Sequence, residues 1–590
     1  MTNVPANRNA LKDVDFPWII NYARNCQREL GSKHDTPAEL SDLHDQLNSI
    51  MVAAAETQRV VIGPQRDETD ISVRNALTHS ISVCAVLLQE KWPRIAMGLK
   101  AAYSMSKDIS GEDRLKSIDW KELKSLAARL KEQVQAMEVY LSSLPPSPRV
   151  APSLEIDRKQ LIAFGSGDTA VYKGTFDGRA VAVKRLQKSR VTPATKEVDI
   201  LLQTEGHPNI IRFHFLASDE DDVYWYLVLD LCPATLADIV LRPDQYPFIA
   251  SHFDPKAALR DVSSGLHYLH ALDIVHRDIK PTNILISPGR TGPGEGAHRI
   301  LISDFGLCKR LGLGDGQPLS PTSAVQGTDG WCAPEIIRGE VVFDDLVDLN
   351  STSPQPSDDT SIPGIQGDKN RLKKSLDIFA LGLLFYFTLT HGQHAFGSEE
   401  RNLNILRNNR SLEHLHLTDK SENVEITDLI SRMLHPSAEQ RLTIMQCYMH
   451  AFFWSRMDRI YFLHVASDYF NDTDHESKPE IRTIEDDANS VIGSNWLSRF
   501  DRDFIQALDA KSLRYDGQSI KSLLRMIRQQ WSFDFLPANI RHQIGSTSDD
   551  HLVYFTDRFP HLLTHVYQVI AKSGASGTEL FQRYFNPEHE

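Results

Sequence analysis

A chain of 590 residues with 41% hydrophobic residues holds enough apolar material for several cores, so two to four domains are expected. Its net charge of −14 and pI near 5.9 argue against a broadly basic nucleic-acid surface and leave only a local basic groove open. Six cysteines without a C-x-x-C pair fit a reducing compartment and argue against structural zinc.

The amino terminus, MTNVPANRNALKD, lacks the apolar core of a signal peptide. The longest apolar run, Ile378 to Leu389, is too short to span a bilayer. Together these features predict a soluble, intracellular, cytoplasmic protein, with the nucleus left open.

Residues 1–145 read as a mostly α-helical region. Helical periodicity recurs over Asp15–Leu30, Leu40–Arg59, Ile71–Leu88 and Trp120–Leu144. In the last segment Leu123, Leu126, Leu130, Val134, Met137 and Leu141 form an apolar stripe. Such a stripe suits a packed helical domain or a self-association module. Leu144-Pro145-Pro146-Ser147-Pro148 opens a semi-rigid linker over 146–153.

From Leu154 the pattern becomes β-like, with strands expected at Leu161–Phe164, Ala170–Thr175 and Ala180–Val183. Between the first two lies Gly165-Ser166-Gly167-Asp168-Thr169-Ala170-Val171, a turn whose small residues let backbone N–H groups approach phosphates. It is one residue shorter than G-x-G-x-x-G-x-V and lacks the third glycine. Val181-Ala182-Val183-Lys184 follows, then Glu197 in KEVDILL. His207–Phe213 and Trp225–Leu229 read as the remaining strands, and the acidic run Asp219–Asp222 between them as a solvated turn.

The most informative stretch is IVHRDIKPTNILIS, followed after a glycine-rich spacer by RILISDFG. Phosphoryl transfer needs an aligned hydroxyl, bound Mg²⁺ and neutralised charge. Asp278 can accept the hydroxyl proton, Asn283 and Asp304 are hard oxygen ligands for Mg²⁺, and Lys280 can contact the γ-phosphate. With HRD and DFG in this order and spacing, the stretch resembles the eukaryotic protein kinases. HRDIKPTN is similar to the serine/threonine branch.

That resemblance implies ATP and Mg²⁺ as cofactors and a nucleotide site built from Gly165, Gly167, Ala182, Lys184 and Glu197. Lys184 would pair with the α- and β-phosphates and with Glu197. Leu229 would gate the adenine pocket, and backbone groups of Asp230 and Cys232 would bind the adenine edge. The activation segment, Leu307 to Glu335, carries Ser320, Thr322 and Ser323. Arg277 beside the catalytic Asp suggests that phosphate on one of these orders the loop. Glu335 is expected to pair with Arg441. Residues 339–374 read as a disordered insertion, from their Pro, Ser and Asp content.

After His450-Ala451-Phe452-Phe453-Trp454 the chain continues without a linker. GTDGWCAPE, HAFFW, YFLHVASDYF and DHLVYFTDRFPHLL closely resemble the inositol-requiring kinase/ribonucleases of the unfolded protein response and ribonuclease L. The resemblance covers about residues 154–585. It implies a bilobal kinase fold over 154–455 followed by an all-α kinase-extension nuclease (KEN) domain over 456–585, an α+β chain overall. In that family, nucleotide-bound back-to-back dimers assemble a ribonuclease site. This chain shows neither a lumenal domain with a membrane span nor ankyrin repeats, so a sensor of the endoplasmic reticulum is not expected.

The nuclease motif departs from the family. Tyr515-Asp516-Gly517 and Leu523-Leu524-Arg525-Met526-Ile527-Arg528 match it. Then Gln529 replaces an asparagine, Trp531–Phe535 lacks both histidines, and the segment is one residue short. Metal-free RNA cleavage needs proton transfer at two oxygens and cationic stabilisation of the transition state. Tyr515 and Arg528 remain as a remnant. His542, His561 and His565 lie nearby in sequence.

The reading is an ATP-dependent serine/threonine kinase that phosphorylates protein and itself. Its KEN domain serves dimerisation and regulation, binds RNA weakly and is impaired as a ribonuclease. The alternatives are an active dual kinase/endoribonuclease on structured RNA, or a nucleotide-switched scaffold.

Overall fold

A computed structural model describes residues 120–143, 153–164, 169–187, 197–218, 223–287, 298–311, 328–341, 363–472, 478–510, 514–529 and 538–586, with isolated single-residue gaps, and scattered positions between 46 and 95. The chain divides into two compact units, Met1–Pro152 and Ser153–Glu590.

In the first unit, helix α1 (Trp120–Ser143) buries Leu123, Leu126, Leu130, Val134 and Met137. Leu77, Ile81, Leu88 and Trp92 are buried too. The three- and four-residue spacing therefore marks an internal core face.

The second unit opens with a five-stranded antiparallel sheet in the order β1-β2-β3-β5-β4: β1 Leu154–Phe164, β2 Ala170–Phe176, β3 Arg179–Gln187, β4 Phe213–Ser218 and β5 Tyr224–Asp230. Val181 and Val183 pack with Tyr226 and Val228 on one face of it. The period of two sends Ala182 and Lys184 to the other face, where Ala182 pairs with Leu229 and Lys184 with Leu227.

Two strand expectations need correction. The first strand begins at Leu154 rather than Leu161, and shifts in its register with β2 absorb the extra length. His207–Phe213 is not a strand. Pro208 has no N–H to give a ladder, and Ile210 and Ile211 join the core of the carboxyl lobe. Ile210 makes a parallel bridge to Ile302, with Ile211 N donating to Ile302 O at 3.0 Å. The acidic run 219–222 and Gly165 and Gly167 lie outside the described residues.

The carboxyl lobe surrounds helix α2 (Pro255–Ala271) and helix α3 (Pro363–Leu389). Asp254 caps α2 by accepting from Lys256 N and Ala257 N, with Pro255 in the first turn. In α3, Ile378, Phe379, Leu381, Leu383, Leu384 and Phe385 are all at most 1% exposed, so the long apolar run is a buried core helix. At Gly382 a Cβ would lie 2.9 Å from Met433 Cβ, so glycine lets helix α4 (Lys420–Met433) approach closely.

Helix α3 also corrects the insertion: its first twelve residues, 363–374, fall inside the stretch expected to be disordered. Composition averaged over 339–374 hides that Arg371 and Lys374 already bond to the lobe. Lys374 Nζ reaches Asp273 at 2.7 Å, and Arg371 donates to Glu439 O at 3.1 Å. Residues 342–362 lie outside the described part.

The chain passes through the turn Ala451–Phe453 straight into helix α5 (Arg456–Asn471), capped by Ser455. Trp454 fills the corner, with ring centroids 4.8 Å from Phe462, 5.6 Å from Tyr567 and 5.0 Å from Tyr584. Behind it a second, all-helical core collects Phe462, Trp496, Leu523, Ile527, Phe559 and Val566. Two polar contacts tie this core to α4: Arg459 Nη2 lies 2.8 Å from Glu425 Oε2, and Gln568 Nε2 donates to Asp428 Oδ1 at 2.6 Å.

Candidate active site

Strand β3 delivers Lys184 under the sheet, where Nζ lies 2.7 Å from both Glu197 Oε1 and Asp304 Oδ1. Lys184 and Glu197 are 8% and 3% exposed, so neither charge is sustained by water. Burial alone would lower the lysine, but Glu197 and Asp304 together hold it above its ordinary value. The same attraction from Lys184 holds Asp304 below the usual carboxylate range. Asp304 sits at φ +64°, a left-handed turn that brings Oδ1 back to Lys184 while Phe305 is buried. Phe305 meets the His276 ring edge-on at 5.3 Å.

The catalytic loop follows a short strand, Ile274–Val275. Its shape comes from Asp377 on α3, a buried carboxylate that accepts from His276 N and Arg277 N, each at 2.8 Å. His270 Nε2 lies 2.8 Å from the same carboxylate. These bonds hold Arg277 at φ +71° and turn Asp278 into the cleft. Arg277 Nη1 donates to Leu307 O, at the start of the activation segment.

Asp278 has three side-chain neighbours. Lys280 Nζ donates to its Oδ2 at 2.7 Å and Asn283 Nδ2 to the same oxygen at 2.9 Å. Thr328 donates Oγ1–H to its Oδ1 at 2.6 Å and accepts from Lys280 Nζ at 2.6 Å. With its amide nitrogen committed to Asp278, Asn283 keeps its side-chain carbonyl available. With Oδ1 on Lys184, Asp304 keeps Oδ2. These two hard oxygens are of the type Mg²⁺ takes, so the donor set fits that ion.

At the hinge Leu229 is 8% exposed and pairs with Ala182. Asp230 N donates to Arg212 O at 3.2 Å, and its carboxylate lies 2.7 Å from His214 Nε2. Cys232 is half-buried, and burial pushes its thiol up to about 12. Glu335 and Arg441 pair bidentately at 2.6 and 2.7 Å. Ser320, Thr322 and Ser323 lie outside the described residues.

Sequence reasoning missed two members of this site. Thr328 stands in the string GTDGWCAPE, where nothing local marks its hydroxyl for Asp278. Asp377 immediately precedes the apolar run Ile378 to Leu389, and an ionisable group at the edge of such a run is a signal that it bonds something.

In the KEN domain, Tyr515 and Arg528 sit at the two ends of the segment leading through helix α6 (Ile520–Gln529). Tyr515 OH donates to Gln529 Oε1 at 2.9 Å, so the residue that replaces asparagine is itself tethered. Arg528 Nε lies 3.2 Å from Asp468 Oδ2 on α5, and both side chains are about half exposed. His464, one turn earlier on α5, is buried; burial and the nearby Arg528 push it down to about 4, so it is neutral near pH 7. Residues 531–537 lie outside the described part. His565 Nε2 lies 2.9 Å from Ile484 O, a structural tie, while His542 and His561 are exposed.

The protein kinase domain family matches residues 158–353, and the family described as Ribonuclease 2-5A matches residues 459–585. The chain is thus a eukaryotic serine/threonine protein kinase domain fused to a KEN domain. It resembles, in particular, the serine/threonine-protein kinase/endoribonucleases. It is 34% identical over 444 residues to IRE2 of Homo sapiens, covering 75% of this chain and 43% of that one. It is 35% identical over 446 residues to ire-1 of Caenorhabditis elegans, covering 74% and 41%. With the Schizosaccharomyces pombe protein named sensor for unfolded proteins in the ER it shares 33% over 430 residues, covering 72% and 38%. The chain therefore spans about two fifths of the length of these relatives.

That last name corrects the cytoplasmic expectation and the dismissal of an endoplasmic-reticulum setting. Both rested on hydropathy, cysteine usage and the lack of a recognised lumenal domain, none of which carries a cellular address. Among the described residues, no helix is long and apolar enough to cross a membrane.

Proposed function

We propose that the chain is an ATP- and Mg²⁺-dependent kinase that phosphorylates serine and threonine hydroxyls of proteins, its own activation segment among them. The observation that supports this most is the network around Asp278. Lys280, Asn283 and Thr328 fix its carboxylate in the cleft, where it would orient an acceptor hydroxyl and take its proton. Lys184, held by Glu197, would position the α- and β-phosphates of ATP. Mg²⁺, when bound by Asn283 and Asp304, would neutralise charge on the phosphates. Lys280 would turn from Asp278 to the transferring phosphoryl. The test is incorporation of labelled phosphate into the full chain. Wild type is expected to modify Ser320, Thr322 or Ser323, and Asp278→Asn to lose the activity. Unmodified wild type after incubation with Mg·ATP would count against the reading.

The KEN domain is read as a dimerisation and regulatory module with weak or no ribonuclease turnover. The support is chemical: the remnant supplies Arg528 as cation and Tyr515 as polar contact, but His464 is neutral and buried. Loss of a general acid costs about 10²–10⁴-fold. The relatives' names place such kinases among endoribonucleases and sensors of unfolded proteins, and we infer that this chain serves the same response.

A further inference from the structure

The residue after Thr328 lies at the acceptor side of the site and has no role in the chemistry above. Thr328 reaches Asp278 with its hydroxyl, so the Cα of Asp329 lies about 3.8 Å farther along the chain. Asp329 is exposed. Its Oδ1 accepts from Asn402 Nδ2, while Asn402 Oδ1 accepts from Gly330 N at 3.0 Å. Asn402 lies on the short helix Arg401–Leu406. Thus one amide side chain fixes both the carboxylate and the loop that carries it.

The loop is held from two more sides. His394 Nε2 donates to Gly330 O at 2.9 Å, and its Nδ1 accepts from Phe396 N. Burial, with Arg401 beside it, pushes His394 down to about 4, so the neutral imidazole with its proton on Nε2 is the form that fits. Gly330 has φ +78°, and a Cβ there would lie 2.7 Å from Arg401 Cδ.

The charges nearby do not cancel Asp329. Lys280 is paired with Asp278, and Arg441 is paired with Glu335. Arg401 is the nearest cation on the supporting helix, and its Nε donates to Gly397 O. Among the described residues no cation forms an ion pair with Asp329. One carboxylate oxygen is anchored on Asn402, and the residue that carries it is exposed one step along the chain from Thr328.

We propose that Asp329 is a specificity-determining residue, selecting protein segments that carry a lysine or arginine beside the serine or threonine to be phosphorylated. This rests on the kinase reading above. A rigidly held carboxylate offers a charge-assisted bond to a cationic side chain and repels an acidic one. The contact is solvent-exposed, so the discrimination is modest, about threefold to fivefold in kcat/KM. It acts on binding and appears chiefly in KM.

The experiment uses the full chain with paired peptides that share one serine acceptor and carry lysine or glutamate at each flanking position in turn. The same peptides with alanine in place of serine give dissociation constants by fluorescence anisotropy. Wild type is expected to prefer lysine at one flanking position in both measurements. Asp329→Asn, which keeps the acceptor for Asn402, is expected to level that preference, and Asp329→Lys to reverse it. Equal handling of lysine and glutamate peptides by wild type, or a preference that survives in Asp329→Asn, overturns the proposal. Absence of transfer to every peptide counts against the kinase reading, and the alanine peptides then still decide the charge preference.

Discussion

Arg459 in the first turns of helix α5 reaches Glu425 of helix α4 at 2.8 Å, and both side chains are at most 1% exposed. The same guanidinium lies 3.1 Å from Glu422, which also holds Lys256 at 2.6 Å. Among the described residues, the ion-pair partners of this KEN residue are both carboxylates of the kinase lobe. Breaking a buried ion pair by removing one partner costs about 3–5 kcal/mol, because a charge is stranded. Arg459→Ala is expected to destabilise the kinase and KEN cores together. Two separated unfolding transitions, with only the KEN one shifted, would contradict it.

The same pair makes stability depend on pH. Burial pushes Glu425 up to about 7, against the pull of Arg459. An unfolded glutamate ionises near pH 4.3. Between about pH 4 and 7 the folded chain binds the extra proton, so this group's contribution to stability falls as pH rises through that window and levels off above it. Melting temperatures of wild type and Glu425→Gln should converge or diverge accordingly: wild type gains relative to the variant as pH drops from 7 to 5. Parallel profiles would show that Glu425 does not titrate there.

Thr328→Val is expected to lower kcat about 10–10²-fold while leaving KM for ATP nearly unchanged. The hydroxyl bonds Asp278 and Lys280, on the transferring side, and makes no bond to Lys184 or Glu197, which would hold the α- and β-phosphates. Misplacement of a reacting group by about 1 Å costs up to about 10²-fold. Thr328→Ser should restore most of the rate, and failure of that rescue would point to a packing role.

Arg441→Ala should destabilise the carboxyl lobe by about 3–5 kcal/mol. It removes both bonds to Glu335 and the stacking on Phe379, whose centroid lies 5.0 Å away. Denaturant unfolding measures this. A loss under about 1 kcal/mol would mean that the pair is not sustained in solution.

A dimeric preparation given a structured stem-loop RNA in EDTA should produce little or no specific cleavage. Arg528 and Tyr515 can hold a phosphate, but binding without a proton donor gives little rate. Specific cleavage that disappears in Arg528→Ala would promote the dual kinase/endoribonuclease alternative.

Local sequence sufficed where chemistry is local. Short motifs at a narrow spacing singled out Lys184, Asp278, Asn283 and Asp304, and the structure pairs Lys184 with Asp304 and Asp278 with Asn283. The strand period placed Ala182 and Lys184 on one face, and helical spacing marked the buried stripe of α1. The KEN domain and its altered motif were legible from resemblance over Tyr461–Phe470 and Asp550–Leu563. Tertiary structure alone decided what depends on residues far apart in the chain. Asp377 shapes the catalytic loop from about 100 residues away, Thr328 meets Asp278 from 50, and Arg459 meets Glu425 only once two cores have docked. His207–Phe213 reads as a strand by composition, yet Ile210 and Ile211 are buried in the carboxyl-lobe core and Ile210 bridges to Ile302. The start of α3 reads as disordered by composition, yet Arg371 and Lys374 find partners there. In each case the deciding energy is a long-range contact or burial, which propensity and periodicity do not encode.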